Sequence, residues 1–256
     1  MADARTRFRP DQTRGVASAL AKSDGIGWPD EYSIPILEVL RQRPVARFGW
    51  DPKIIMQLDP GERDKTRLRP EGFFAPYTTE SLLEVFGNPK HPKYSRKLAA
   101  ALRRRPDIEE DPIFLAGRSA PDTRPGSFLT VLHEATHRGF KKLRDEFGDG
   151  WLNAETEEFR DKYKIPQRNA EEIIVRLLDY MNTEMGVTLS DKGKEVTDFL
   201  IRKYTNLTGD DLAGKMLADP VVSDLIRRLQ GQAGLQFQHE GQRHWARRLR
   251  HHHGAN

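Results

Sequence analysis

Residues Ser127 to Leu143 read SFLTVLHEATHRGFKKL, and five of them restrict the fold more than any other feature of the chain: His133-Glu134-Ala135-Thr136-His137. In an α-helix, residues four apart share a face with their side chains one above the other. His133 and His137 can then both reach one ion through imidazole nitrogens, at the roughly 2.0–2.1 Å that zinc asks of nitrogen. Glu134 lies one step round the helix. It does not join that pair, but it can reach a water activated by the ion and accept its proton. At this chain's His and Glu content, shuffling gives roughly 0.02 such runs, so chance is a weak competitor. The competing structural reading is two surface histidines on a solvated helix. Against it, Phe128-Leu129-Thr130-Val131-Leu132 makes an apolar helix start, and Ala135 and Thr136 are small and uncharged.

Composition narrows the chemistry. The chain has no cysteine, which excludes disulfides and thiolate ligands; a metal must rely on His, Asp or Glu. Charged residues make up 31% and hydrophobic residues 37%, enough apolar material for a real core in 256 residues. No apolar run approaches the roughly 18 residues needed to span a membrane, so no transmembrane segment is expected. The N-terminus MADARTRFRPDQTRG lacks an apolar stretch, and no secretory signal is expected. These readings favour a cytoplasmic setting, with a virion as the alternative.

Along the chain, Pro and Gly punctuate residues 1–70, with short helices expected at Pro10–Lys22 and Ser33–Gln42. Short strands are expected at Gly72–Tyr77 and Asp111–Gly117, and helices at Thr79–Phe86 and Tyr94–Arg104. Ser127 is a suitable N-cap for the motif helix, with Gly148 and Gly150 as stops. A polar, loop-like stretch WLNAETEEFRDKYKIP leads to Pro166. QRNAEEIIVRLLDYMNTEMG then reads as a strongly amphipathic helix, followed by helices at Ser190–Tyr204, Asp210–Leu217 and Asp219–Gln230. The expected class is α+β, mainly helical, with a small sheet.

The run VLHEATHRGF resembles the active-site helix of the zincin metallopeptidases, whose mark is HExxH. The resemblance covers about Leu129 to Tyr180, and the HExxHRG form is similar to zincin domains encoded by bacteriophages. It implies a zincin-like domain over 71–231, a zinc ion held by His133 and His137, and Glu134 as general base. It also implies an edge strand for the substrate backbone, for which IFLAG (Ile113–Gly117) is the candidate. There are departures. Arg138 follows the second His where many peptidases carry an uncharged residue. The extension HExxHxxGxxH fails, because Phe140 and Leu143 stand where its Gly and third His would be. The third ligand must come from elsewhere, as in the gluzincins, where a later helix supplies a Glu; the NExxSD form of that helix is not matched.

RNAEEIIVRLLD offers Glu171 and Glu172. Helical spacing favours Glu171, because Ile174, Val175 and Leu178 continue its face into the interior. Glu172 is the alternate, and Arg168 and Arg176, four residues before and after it, suit a solvated stripe of ion pairs. Asp179 is a candidate to orient a ligand histidine, and Tyr163 and Tyr180 are candidates to donate to an oxyanion. His91 and the acidic group Glu155, Glu157 and Glu158 are weaker candidates, better read as loop and solvated surface. The last stretch, 232–256, is expected to be a basic tail: from His239 it holds four Arg and five of the eight His, and could dock on an acidic protein or nucleic acid.

The function expected from all this is a zinc-dependent metallopeptidase, a hydrolase in which activated water attacks a peptide carbonyl with Glu134 as base. Its partners are then a peptide or protein substrate. The alternative is a structural or assembly protein, such as a virion component in a larger assembly, that keeps a zincin-like fold.

Overall fold

The computed structural model describes residues 40, 42–57, 72–115, 128–181 and 191–253. The helix expected at Pro10–Lys22 lies outside them, as does all of Ser33–Gln42 except Leu40 and Gln42. The described residues form a mainly helical α+β structure with one three-stranded sheet. No helix among them is long and apolar enough to cross a membrane. The chain divides into two compact units that do not follow chain order: Met1–Gln42 with Asp51–Leu132, and Arg43–Trp50 with His133–Asn256. These are drawn differently from the segments 1–70, 71–231 and 232–256 expected from composition.

The first unit carries β1 (Ile55–Gln57), β2 (Gly72–Phe74), α2 (Thr79–Phe86), α3 (Arg96–Arg104) and β3 (Ile113–Leu115). Helix α2 is capped by Thr78, whose side chain accepts from Ser81 N, and α3 by Ser95, which accepts from Leu98 N. The sheet order is β1-β3-β2, with β1 parallel and β2 antiparallel to β3. The strand Ile113–Leu115 is therefore central and paired on both sides, which corrects its assignment as an edge for substrate. The reason is visible in its burial: Ile113 and Phe114 are both buried, so both faces of the strand are covered. Phe114 stacks on Phe73 at 4.8 Å and meets Phe86 edge-on. The missed neighbour, β1, sits in a Pro-rich stretch too short for a periodic signal.

The second unit holds α1 (Pro44–Gly49) and most of α4 (Phe128–Phe147). It continues through α5 (Trp151–Glu155), α6 (Glu157–Tyr163), α7 (Gln167–Met181), α8 (Asp191–Tyr204), α9 (Leu212–Leu217) and α10 (Pro220–His253). The stretch 151–163, expected to be a polar loop, is two short helices. Leu152, Phe159 and Tyr163 enter the core and Trp151 packs against it, and that burial outweighs weak local periodicity. Helix α7 buries Ile173, Ile174, Leu177 and Leu178, each contributing roughly 1.5–3 kcal/mol relative to exposure. Residues 232–253, expected to be a tail, continue α10: Ala233 is in the core and Phe237 packs against it. Gly231 and Gly234 each cost roughly 1 kcal/mol in a helix interior, a loss that tertiary packing outweighs here.

Helix α1 lies directly against α4. A Cβ at Gly49 would fall 1.9 Å from Ala135 O, and one at Gly139 would fall 2.1 Å from Val45 O. Only glycine permits this approach at either position. Arg138 donates from NH1 to Gly49 O at 3.0 Å, and Val45 N donates to Gln230 Oε1 at 3.1 Å. Arg138 and Gly139, directly after the second histidine, are thus the seat of α1. Gly139→Ala is expected to destabilise the fold by about 3 kcal/mol, since backbone rather than a flexible side chain must move. A urea midpoint equal to that of the parent protein would show that the two helices do not pack this closely.

Candidate metal centre

The site is built by α4 and α7. His133 and His137, one turn apart on α4, turn their Nε2 atoms toward each other at 3.2 Å. Glu172 on α7 brings Oε2 to 3.2 Å from His137 Nε2 and 3.7 Å from His133 Nε2. These three donor atoms make the group that could hold a metal ion among the described residues. Glu171, the preferred third ligand from sequence, is elsewhere: its Oε1 lies 2.7 Å from His137 Nδ1, and its other oxygen accepts from Arg144. Adjacent residues on a helix point about 100° apart, so one of the two carboxylates meets the Nε2 side of His137 and the other the Nδ1 side. His137 and Arg144 compensate the charge of Glu171 in its part-buried position.

Asp179, two turns further along α7, sets its Oδ2 2.7 Å from His133 Nδ1 and takes Arg43 Nη1 on Oδ1 at 3.3 Å. Arg176 Nε donates to Glu172 Oε1 at 2.9 Å. Each of three carboxylates therefore stands between an imidazole and a guanidinium. A carboxylate only accepts, so the protons of His133 and His137 are held at Nδ1 by Asp179 and Glu171. In the neutral tautomer with the proton at Nδ1, both Nε2 atoms face Glu172 Oε2 with lone pairs, the form in which they could ligate an ion. Sequence reasoning did not find Arg43 or Arg144; the pairing of Arg176 with Glu172 was expected from their spacing and is present.

The electrostatics follow from this convergence. Burial alone would lower the pKa of His137, but hydrogen bonds to Glu171 and Glu172, and the charges of Glu171 and Glu134, outweigh it and push it up to about 10. His133 is likewise raised: burial opposes its charge, and the charge and hydrogen bond of Asp179 prevail. Glu172 is lowered, because hydrogen bonds to both histidines overcome its desolvation. Glu171 and Asp179 are lowered against the same penalty, by His137 with Arg144 and by His133 with Arg43.

The donor set fits a small divalent cation. A point equidistant from atoms on a triangle of sides 3.2, 3.2 and 3.7 Å lies about 2.0 Å from each, the length zinc asks of nitrogen and oxygen ligands. Two imidazoles and a carboxylate suit zinc and neighbouring transition metals better than calcium or magnesium, which prefer oxygen donors throughout. Glu134 is buried beside the pair on α4.

The remaining candidates are placed away from this chemistry. Tyr163 donates its hydroxyl to Asp219 Oδ2 at 2.7 Å, and Tyr180 donates to Asp211 Oδ1 at 2.5 Å. A phenol has one proton to give, so neither is available to an oxyanion in this arrangement. Burial, and then Asp219, raise the pKa of Tyr163. Glu155 pairs with Gln232 and Arg228, Glu157 and Glu158 are exposed in the first turn of α6, and His91 Nδ1 accepts from Lys93 N in a turn. Compared with protein-family models, curated proteins and solved structures, the chain matches none. The geometry of the site is what carries its interpretation.

Proposed function

We propose that the protein is a zinc-dependent hydrolase acting on peptide bonds, with a zincin-like arrangement of its site. The observation that supports this reading best is the convergence of three acceptor atoms, His133 Nε2, His137 Nε2 and Glu172 Oε2, at ligand spacing, each nitrogen fixed in place by a carboxylate on its Nδ1. These three atoms would hold the ion. When bound, it would supply Lewis acidity, activating water and polarising a carbonyl. Glu134 would accept the proton of the attacking water on its carboxylate and pass it to the leaving nitrogen. Asp179 and Glu171 keep both imidazoles in the tautomer that presents Nε2. Arg43, Arg144 and Arg176 hold the three carboxylates ionised and oriented. A peptide or protein is then the substrate, and a site needing zinc only for folding would have no use for a carboxylate at position 134.

The choice between the two glutamates is testable in the full chain with His251, His252 and His253 replaced by alanine, so that the terminal histidines bind no metal. Glu172→Ala is expected to weaken zinc binding by more than a hundredfold, as loss of one of three ligands. Glu171→Ala is expected to weaken it by about ten- to hundredfold, as loss of a group that orients a ligand. Competition with a chromophoric chelator measures both, and a larger loss at Glu171 would reverse the assignment. The activity itself is tested with an unbiased peptide library. Zinc-loaded protein should cleave some members and chelated protein none; no cleavage of any member would count against a peptidase.

A further inference from the structure

We infer that Arg43 is a positioning residue of this metal centre, acting on His133 through Asp179; the inference rests on the zinc reading above. Arg43 is 90 residues before His133 in the chain, yet it belongs to the same compact unit. Its side chain is almost fully buried, and its NH1 lies 3.3 Å from Asp179 Oδ1, while Asp179 Oδ2 lies 2.7 Å from His133 Nδ1. The two oxygens of Asp179 thus have separate duties. One receives the imidazole proton, and the other is held by the guanidinium. A carboxylate pinned at one oxygen can still swing about its last torsion; pinned at both, it fixes the plane in which the His133 ring must lie.

The surrounding structure serves this contact. Arg43 immediately precedes α1, and α1 is held on α4 by the Gly49–Ala135 and Gly139–Val45 approaches and by Arg138 on Gly49 O. Residues 138 and 139, directly after the second histidine, therefore deliver Arg43 to the far side of the first. The burial that lowers Arg43 to about 10 opposes placing a cation there, and Asp179 offsets it. A guanidinium kept in that position despite its desolvation is set by the carboxylate it faces.

The test uses the full chain with His251, His252 and His253 replaced by alanine. Zinc affinity is read by chelator competition, and the ligand field by the visible absorption of the cobalt-substituted protein. Arg43→Met is expected to weaken zinc by about ten- to hundredfold and to alter the cobalt bands, the usual scale for an outer-sphere partner. Arg43→Lys should fall between Met and the parent, because an ammonium restores charge without the fixed fork. In an Asp179→Asn background, Arg43→Met should cause no further loss, since the residue through which it acts is already disabled. Folded Arg43→Met with parental affinity and cobalt spectrum would overturn the inference, as would an undiminished further loss in the Asn background. If Arg43→Met does not fold, Arg43→Lys decides: an altered spectrum with weaker zinc supports the role, and parental values overturn it. A parent protein that binds no zinc would instead remove the metal centre itself, an outcome distinct from a zinc-binding parent indifferent to Arg43.

Discussion

Replacing His133 or His137 by alanine is expected to abolish stoichiometric zinc binding. The two Nε2 atoms and Glu172 Oε2 form a triangle whose centre lies within ligand distance of all three corners, and removing one corner leaves two donors on a single edge. The parent protein, with the terminal histidines replaced by alanine, should hold about one zinc per chain after gel filtration. Because binding to the folded state alone adds stability, zinc at a thousand times its dissociation constant should stabilise the parent by about 4 kcal/mol and neither variant measurably. His137→Ala should also weaken the metal-free fold, because Glu171 and Glu172 lose the ring that contacts both. Elemental analysis and thermal scans with and without zinc measure these effects. Full zinc occupancy in the double alanine variant would rule out the site.

Glu134→Gln is expected to keep both zinc and fold while lowering peptide hydrolysis by about a hundred- to ten-thousandfold, the usual contribution of a general base. The amide has the shape of the carboxylate and is buried in the same place on α4, but it cannot take a proton from water. The decisive comparison is the rate of zinc-loaded variant against zinc-loaded parent on a peptide the parent cleaves. Parental activity would eliminate Glu134 as the base. Loss of zinc from the variant would make Glu134 a structural residue and strengthen the alternative of an assembly protein with a zincin-like fold.

Much of the site was legible before any fold was known. The spacing of His133 and His137 requires a shared helical face, and α4 places their Nε2 atoms 3.2 Å apart. The period of Ile173, Ile174, Leu177 and Leu178 requires an amphipathic α7, and those residues are its buried side. Asp179, suggested as an orienting carboxylate, lies on His133 Nδ1. These features depend on residues within one helix, where a regular backbone converts sequence spacing directly into direction.

The tertiary structure decided what no single helix contains. Periodicity ranked Glu171 above Glu172 by which residue shares the apolar face, but the deciding quantity is which side of the His137 ring each carboxylate meets. That depends on how α4 and α7 cross. Arg144 then neutralises Glu171, a contact between residues 27 apart that local pattern cannot show. The strand Ile113–Leu115 was legible as a strand but not as the central one, because its partner Ile55–Gln57 is three residues long in a stretch dominated by turns. Arg43 is the clearest case. Its only neighbours in sequence are a glutamine and a proline, and its role arises from 136 residues away at Asp179. Helical spacing by itself determined the histidine pair and the face of α7; helix crossing and long-range pairing of buried charge decided which carboxylate faces both Nε2 atoms and which arginine stands behind Asp179.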